Sequence, residues 1–212
     1  MRSLAVAQRA RQYLEQGCVI VDFETTGFVS PTVDIVEIAV IDQDGQVLLD
    51  TLVKPSGRIP YRASLVHGIY DDDVKNAPTF DEVYAVFRNV VSSQPLAIAY
   101  NDEFERGILR SVCMRYAQPV PPLEWQCAMR AYMSYAQQYK FSKLGDACAR
   151  EGVHVDNAHR ALGDCVMTLH LLNKMAAYTE ETHNEQASIN TATETPMHRS
   201  AARRYSYRRY RS

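Results

Sequence analysis

Residues 19–27 read V-I-V-D-F-E-T-T-G, and this stretch decides the fold. The apolar run 18–23 is short and is closed by T-T-G, so it reads as a buried central strand ending in a turn. Asp22 and Glu24 stand two residues apart near its end, so both project from one face while Phe23 points to the other. Two carboxylates on one face of a buried strand are costly without a counter-charge. A divalent cation that favours hard oxygen ligands, Mg²⁺ or Mn²⁺, supplies that charge. The alternative at this point is a polar strand end that runs into solvent.

Working outward, residues 3–16 read as an amphipathic helix, with Leu4, Ala7, Ala10 and Leu14 on one face. Residues 34–41 and 46–53 read as two further strands separated by the Asp44-Gly45 turn, which completes an antiparallel meander. Short helical turns are expected at 62–67 and 71–75, helices at 80–91, 103–117, 127–136, 143–151 and 159–177, and a buried strand at 96–100. A meander followed by alternating helices and strands predicts an α/β fold: a mixed sheet, antiparallel first and parallel later, flanked by helices.

The 212 residues suffice for one core. The expected organisation is one domain over 1–178, with its core at 17–178 and the helix 3–16 in front. A disordered polar linker and tail follow over 179–212. Five scattered cysteines with no C-x-x-C pair fit a reducing, cytoplasmic setting and exclude a disulfide scaffold. No run of 18 apolar residues is present, so no membrane span is expected. Charge is uneven. Residues 199–212 hold six arginines and three tyrosines and no acid, whereas residues 1–198 hold 17 basic against 25 acidic side chains. Such a stretch can neutralise phosphates and stack on bases; the bland alternative is a solvated tail that binds nothing specific.

Two more acidic clusters lie downstream. Asp102 and Glu105 sit in A-Y-N-D-E-F-E (99–105), and His159 and Asp164 sit in H-R-A-L-G-D (159–164). His159 falls near a helix start, where a histidine is able to accept a proton. Asp164 is set among Ala161, Leu162, Cys165 and Val166, and reads either as a salt-bridge partner or as a metal ligand. Carboxylates this far apart act together only if the fold gathers them; gathered with a histidine, they are equipment for phosphodiester hydrolysis.

The three clusters, in this order and spacing, resemble the DEDDh subgroup of DnaQ-like 3′→5′ exonucleases. H-G-I (67–69), D-D-D-V (71–74) and A-P-T-F (77–80) agree with that resemblance, which covers residues 17–178. It implies a ribonuclease-H-like fold and a metal-dependent exonuclease with two divalent ions about 4 Å apart. The substrate implied is nucleic acid with a free 3′ end, single-stranded or frayed, with DNA ahead of RNA. A DNA polymerase or a repair protein is the expected kind of partner. Asp22, Glu24, Glu105 and Asp164 would be the metal-binding carboxylates and His159 the base. Phe23, Thr25, Thr26, His67, Asn101 and Phe104 would contact the terminal nucleotide, Phe23 by stacking on a base. Glu37 would either support the site from the next strand or form a salt bridge. One position departs from the family pattern: Glu105 stands where aspartate is usual. Either its longer arm serves, or Asp102 takes over, or the protein grips ends without cutting them.

Overall fold

The central strand, β1 (Cys18–Thr25), is flanked by β2 (Ile35–Asp42) and β4 (Leu96–Ala99). With β3 (Val47–Leu52) and β5 (Glu124–Cys127) they form a five-stranded sheet in the order β3-β2-β1-β4-β5. The computed structural model describes residues 2–153 and 159–184. β1 pairs antiparallel with β2, and β2 with β3; β1 and β4, and β4 and β5, run parallel. The mixed sheet expected from the sequence is therefore present. The helices are α1 (Leu4–Gln16), α2 (Tyr61–His67), α3 (Asp71–Val74), α4 (Phe80–Val91), α5 (Asp102–Arg115), α6 (Ala128–Tyr135), α7 (Leu144–Arg150) and α8 (Ala161–Ala176).

The period-two alternation of β1 divides the core. Val19, Val21 and Phe23 face a layer built by Phe80 and Phe87 of α4 and Ile108 and Val112 of α5. Full burial of a phenylalanine such as Phe80 or Phe87 contributes about 1.5–3 kcal/mol relative to exposure. Cys18 and Ile20 face the other layer, where Cys165, Leu171 and Leu172 of α8 pack beneath α1 and α6. Asp22 and Glu24 continue this second row, so they emerge beside the N-terminal end of α8.

α1 lies over α8 and α6, with Ala7 and Ala10 in the core. Arg11 donates to the Ala176 carbonyl at 2.8 Å, satisfying an acceptor at the end of α8. α1 ends at Gly17, whose φ of +86° suits glycine; a Cβ there would meet the Gln94 carboxamide at 2.3 Å.

Two features depart from expectation. β5 precedes α6 although Glu124–Cys127 has no alternation that marks a strand; parallel pairing to β4 makes it one. The polar segment expected from residue 179 begins ordered. Tyr178 is buried edge-on against Tyr135, and 180–184 form a helical turn with Thr179 and Thr182 bonded to each other. The arginine- and tyrosine-rich stretch, and the rest of 185–212, lie outside the described residues.

Candidate active site

The C-terminal end of β1 opens on one cavity of about 680 Å³, bordered by the first turn of α5, the helix that follows β4. Crevices at this end of a parallel sheet are the usual ligand sites of α/β folds. Asp22, Phe23, Glu24, Thr25 and Thr26 reach it from β1 and the turn, Phe104 and Glu105 from α5, His67 from α2, and His159 and Asp164 from the start of α8. Ten of the eleven candidate residues thus share one wall-to-wall site, drawn from four parts of the chain. Asn101, the eleventh, is exposed at the N-cap of α5 and does not line the cavity.

Ligand oxygens of Asp22, Glu24 and Asp164 lie within 4.8 Å of one another, close enough to share a cation. Burial and the neighbouring charge of Glu105, then Asp164 and Glu24, push Asp22 well above the usual carboxylate range. Glu24 is pushed up to about 8 by burial, then by Asp164 and Glu37. Burial raises Asp164, against the pull of the His159 N–H on its Oδ1 at 3.2 Å. Glu105 is buried and raised well above its ordinary value by burial and by Glu24. Among the described residues its Oε2 has no hydrogen-bond partner. Carboxylates crowded this way, with an orphaned buried oxygen, fit a divalent cation site, because cations supply the missing counter-charge.

Asp102 is removed from the alternatives for the third ligand. Its buried carboxylate faces away, accepting from Arg130 at 2.5 Å and pairing with Arg106 at 3.5 Å. Three positions along a helix leave the two side chains about 60° apart and about 4.5 Å apart in height, and the arginine pairing holds the Asp102 carboxylate away from the cavity. Only Glu105 reaches the cavity.

Phe23 is corrected as a stacking platform. It is 3 % exposed and its ring lies 5.7 Å from that of Phe87, because strand alternation sends it into the α4 layer. Phe28, absent from the sequence expectations, is the exposed aromatic on the cavity: 88 % of it is open. The signal available was a large aromatic directly after the turn glycine with no periodic partner. Arg62 and Val66 of α2 also line the cavity and carried no signal of their own.

The hydroxyls of the T-T-G turn shape the loop. Thr25 Oγ1 donates to the Gly27 carbonyl at 2.7 Å, and Thr26 Oγ1 accepts the Asp34 N–H at 2.9 Å. Asp34 accepts from the Ser56 N–H and hydroxyl at 2.9 and 2.7 Å, tying the loop to the body. His67 is buried, its Nδ1 accepting the Ile69 N–H at 3.0 Å. The ring proton is therefore on Nε2, which forms no hydrogen bond of normal geometry among the described residues. Burial lowers the His67 pKa, outweighing the Thr25 backbone beside it, so the ring is neutral. His159 is exposed and has a left-handed backbone (φ +67°), immediately ahead of α8.

The family model for exonucleases matches residues 19–172, which spans β1 to α8. The chain belongs to the exonuclease family. The uncharacterized exonuclease CP81 of Escherichia phage 186 is 35% identical over 184 residues, covering 81% of this chain and 94% of that protein. The DNA polymerase III subunit epsilon of Buchnera aphidicola is 26% identical over 172 residues, covering 76% of this chain and 72% of that subunit. Among solved structures, exonuclease X in complex with 5′ overhanging duplex DNA superposes with a TM-score of 0.60 at 27% identity, over 78% of this chain and 96% of that one. This exonuclease is thus of the DnaQ-like type in the ribonuclease-H-like superfamily, a 3′→5′ nuclease whose family uses divalent metal ions. Among its described residues no helix is long and apolar enough to cross a membrane.

Proposed function

We propose that this exonuclease releases nucleotides one at a time from single-stranded or frayed 3′ ends of DNA, with Asp22, Glu24, Glu105 and Asp164 holding two Mg²⁺ or Mn²⁺ ions and His159 as general base. The observation that carries the reading is the convergence of the Asp22, Glu24 and Asp164 oxygens within 4.8 Å, in one cavity with His159. Divalent cations held there supply positive charge to the phosphodiester under attack and to the departing oxygen.

The chain's own groups account for the rest. His159, exposed at the cavity, takes the proton of the attacking water. The water oxygen bonds to phosphorus, the P–O3′ bond breaks, O3′ takes a proton from solvent to become the new 3′ hydroxyl, and a 5′-mononucleotide leaves. The Nε2–H of His67, beside the Thr25 backbone, stands at the cavity for the terminal nucleotide. Phe28 offers a ring face on which a base stacks, and Phe104 adds an apolar wall. Arg62 stands at the same cavity for a backbone phosphate. Turn positions Thr25 and Thr26 shape the floor through their intraloop bonds.

DNA is favoured over RNA by the kinship with a DNA polymerase subunit and with an exonuclease bound to DNA, which also makes a polymerase or repair partner the first to test. One catalytic domain, followed by the arginine-tyrosine stretch as a tether for nucleic acid, is the organisation supported by the uneven charge. Five free buried cysteines support a reducing compartment such as the cytoplasm.

The test is digestion of 5′-labelled single-stranded DNA and of its RNA counterpart with Mg²⁺ or Mn²⁺. A one-nucleotide ladder on DNA, weaker on RNA, is expected. A ladder on RNA alone would make it an exoribonuclease. Tight end binding without a ladder would make it an end-binding module.

A further inference from the structure

β1 and β2 bring Glu24 and Glu37 directly opposite each other. Like charges at such a pair destabilise a sheet, and Glu37 is only 3 % exposed, so it needs a partner. That partner is Arg160, the N-cap residue of α8, whose Nε donates to both Glu37 oxygens at 3.0 and 3.1 Å while Nη2 donates to Oε1 as well. The second Glu37 oxygen accepts the Ala161 N–H at 2.9 Å. α8 has no side-chain cap of its own. Glu37 thus caps it from the neighbouring strand, satisfying one of the orphan N–H groups of its first turn.

What lies on either side of this contact gives it meaning. His159 directly precedes Arg160 and holds a left-handed backbone that non-glycine residues rarely adopt without support. Its N–H is held by Asp164, one turn into α8. The candidate base and the last carboxylate are therefore fixed to each other and, through Arg160 and Ala161, to the strand next to the one that carries Asp22 and Glu24.

We propose that Glu37 and Arg160 are positioning residues: a clamp that sets the start of α8 so that Asp164 meets Asp22 and Glu24, and His159 faces the scissile bond. The clamp rests on the two-cation reading given above. Loss of a group that orients metal ligands typically costs 10–100-fold in metal affinity or activity.

The test is calorimetric titration of the full chain with Mn²⁺, in parallel with kcat and KM on single-stranded DNA below the melting temperature of every variant. Arg160→Ala and Glu37→Ala are expected to weaken Mn²⁺ binding and to lower kcat by about 10–100-fold each, with KM held within about twofold. Arg160→Lys, which keeps the charge and loses the fork, should recover part of both. Should Glu37→Ala not fold, Arg160→Ala decides alone, because the Arg160 side chain is half exposed. Wild-type Mn²⁺ affinity and kcat in Arg160→Ala, with only a lower melting temperature, would show a purely structural pair and overturn the proposal. Absence of Mn²⁺ binding by wild type would instead overturn the cation reading, with Asp22→Ala as its control.

Discussion

Glu105 stands where the family resemblance leads one to expect aspartate, and its surroundings mark it as part of the carboxylate cluster. The carboxylate is buried, its charge is the leading electrostatic influence on Asp22, and one oxygen has no partner among the described residues. Glu105→Ala should lower kcat by about 10²-fold or more, the rate equivalent of several kcal/mol of lost charge stabilisation. Glu105→Asp should retain cutting; single-turnover rates on the labelled strand measure both. Equal rates for Glu105→Ala and wild type would remove it from the site. His67→Phe removes the Nε2–H donor at the cavity and should raise KM about tenfold, the worth of one hydrogen bond, with kcat less affected. Asp22, Glu24, His159 and Asp164 were legible from residue type and spacing. Phe28 and Arg62 were not, because a loop and a separate helix bring them to the cavity and neither repeats with any period. Arg160 lay inside the readable H-R-A-L-G-D run, but its bond to Glu37 spans 123 positions of sequence.

Among the elements, the loop after β1 depends on α5. Gly107 lies under Val29, and a Cβ there would stand 2.8 Å from a Val29 methyl. Gly107→Ala therefore pushes the loop outward and moves Phe28, next in chain. A rise in KM for oligonucleotides of several-fold, with kcat nearly unchanged, is expected, since stacking on an aromatic is worth about 1–3 kcal/mol per base. An unaltered KM would mean that Phe28 contributes no binding. The long elements were readable because their apolar residues recur with the period of the structure, as at Phe80, Val83, Tyr84, Phe87 and Val91 along α4. β5 was not, since four residues at a sheet margin show no period and only pairing with β4 defines them. The start of α8 fell two residues later than expected because Glu37 places the cap at Arg160.

For the whole molecule, the gathered carboxylates couple stability to pH and to cations. In the metal-free protein Glu24 sits at about 8, with Asp22, Glu105 and Asp164 also raised. Their unfolded counterparts titrate near about 4. The folded state therefore holds more protons, and the stability these groups contribute is fully present below about pH 4 and is lost as pH rises towards about 8. With chelator, the melting temperature should fall between about pH 5 and pH 8; Mg²⁺ or Mn²⁺ at pH 8 should restore it by more than about 3 °C. A chelated protein whose melting temperature rises over that range would contradict the crowding. Removal of residues 199–212 should raise KM for long strands and leave short oligonucleotides unaffected, because the acidic body then lacks its six terminal arginines.

The most direct measurement is gel-resolved digestion of 5′-labelled single-stranded DNA with Mg²⁺, comparing wild type with Asp22→Ala, the residue at the centre of the cluster. The account predicts a ladder shortening by one nucleotide at a time from the 3′ end for wild type and intact strand for Asp22→Ala. A ladder that persists in Asp22→Ala would contradict the assignment of the site, and internal cuts or loss of the 5′ label as mononucleotide would contradict the direction of attack.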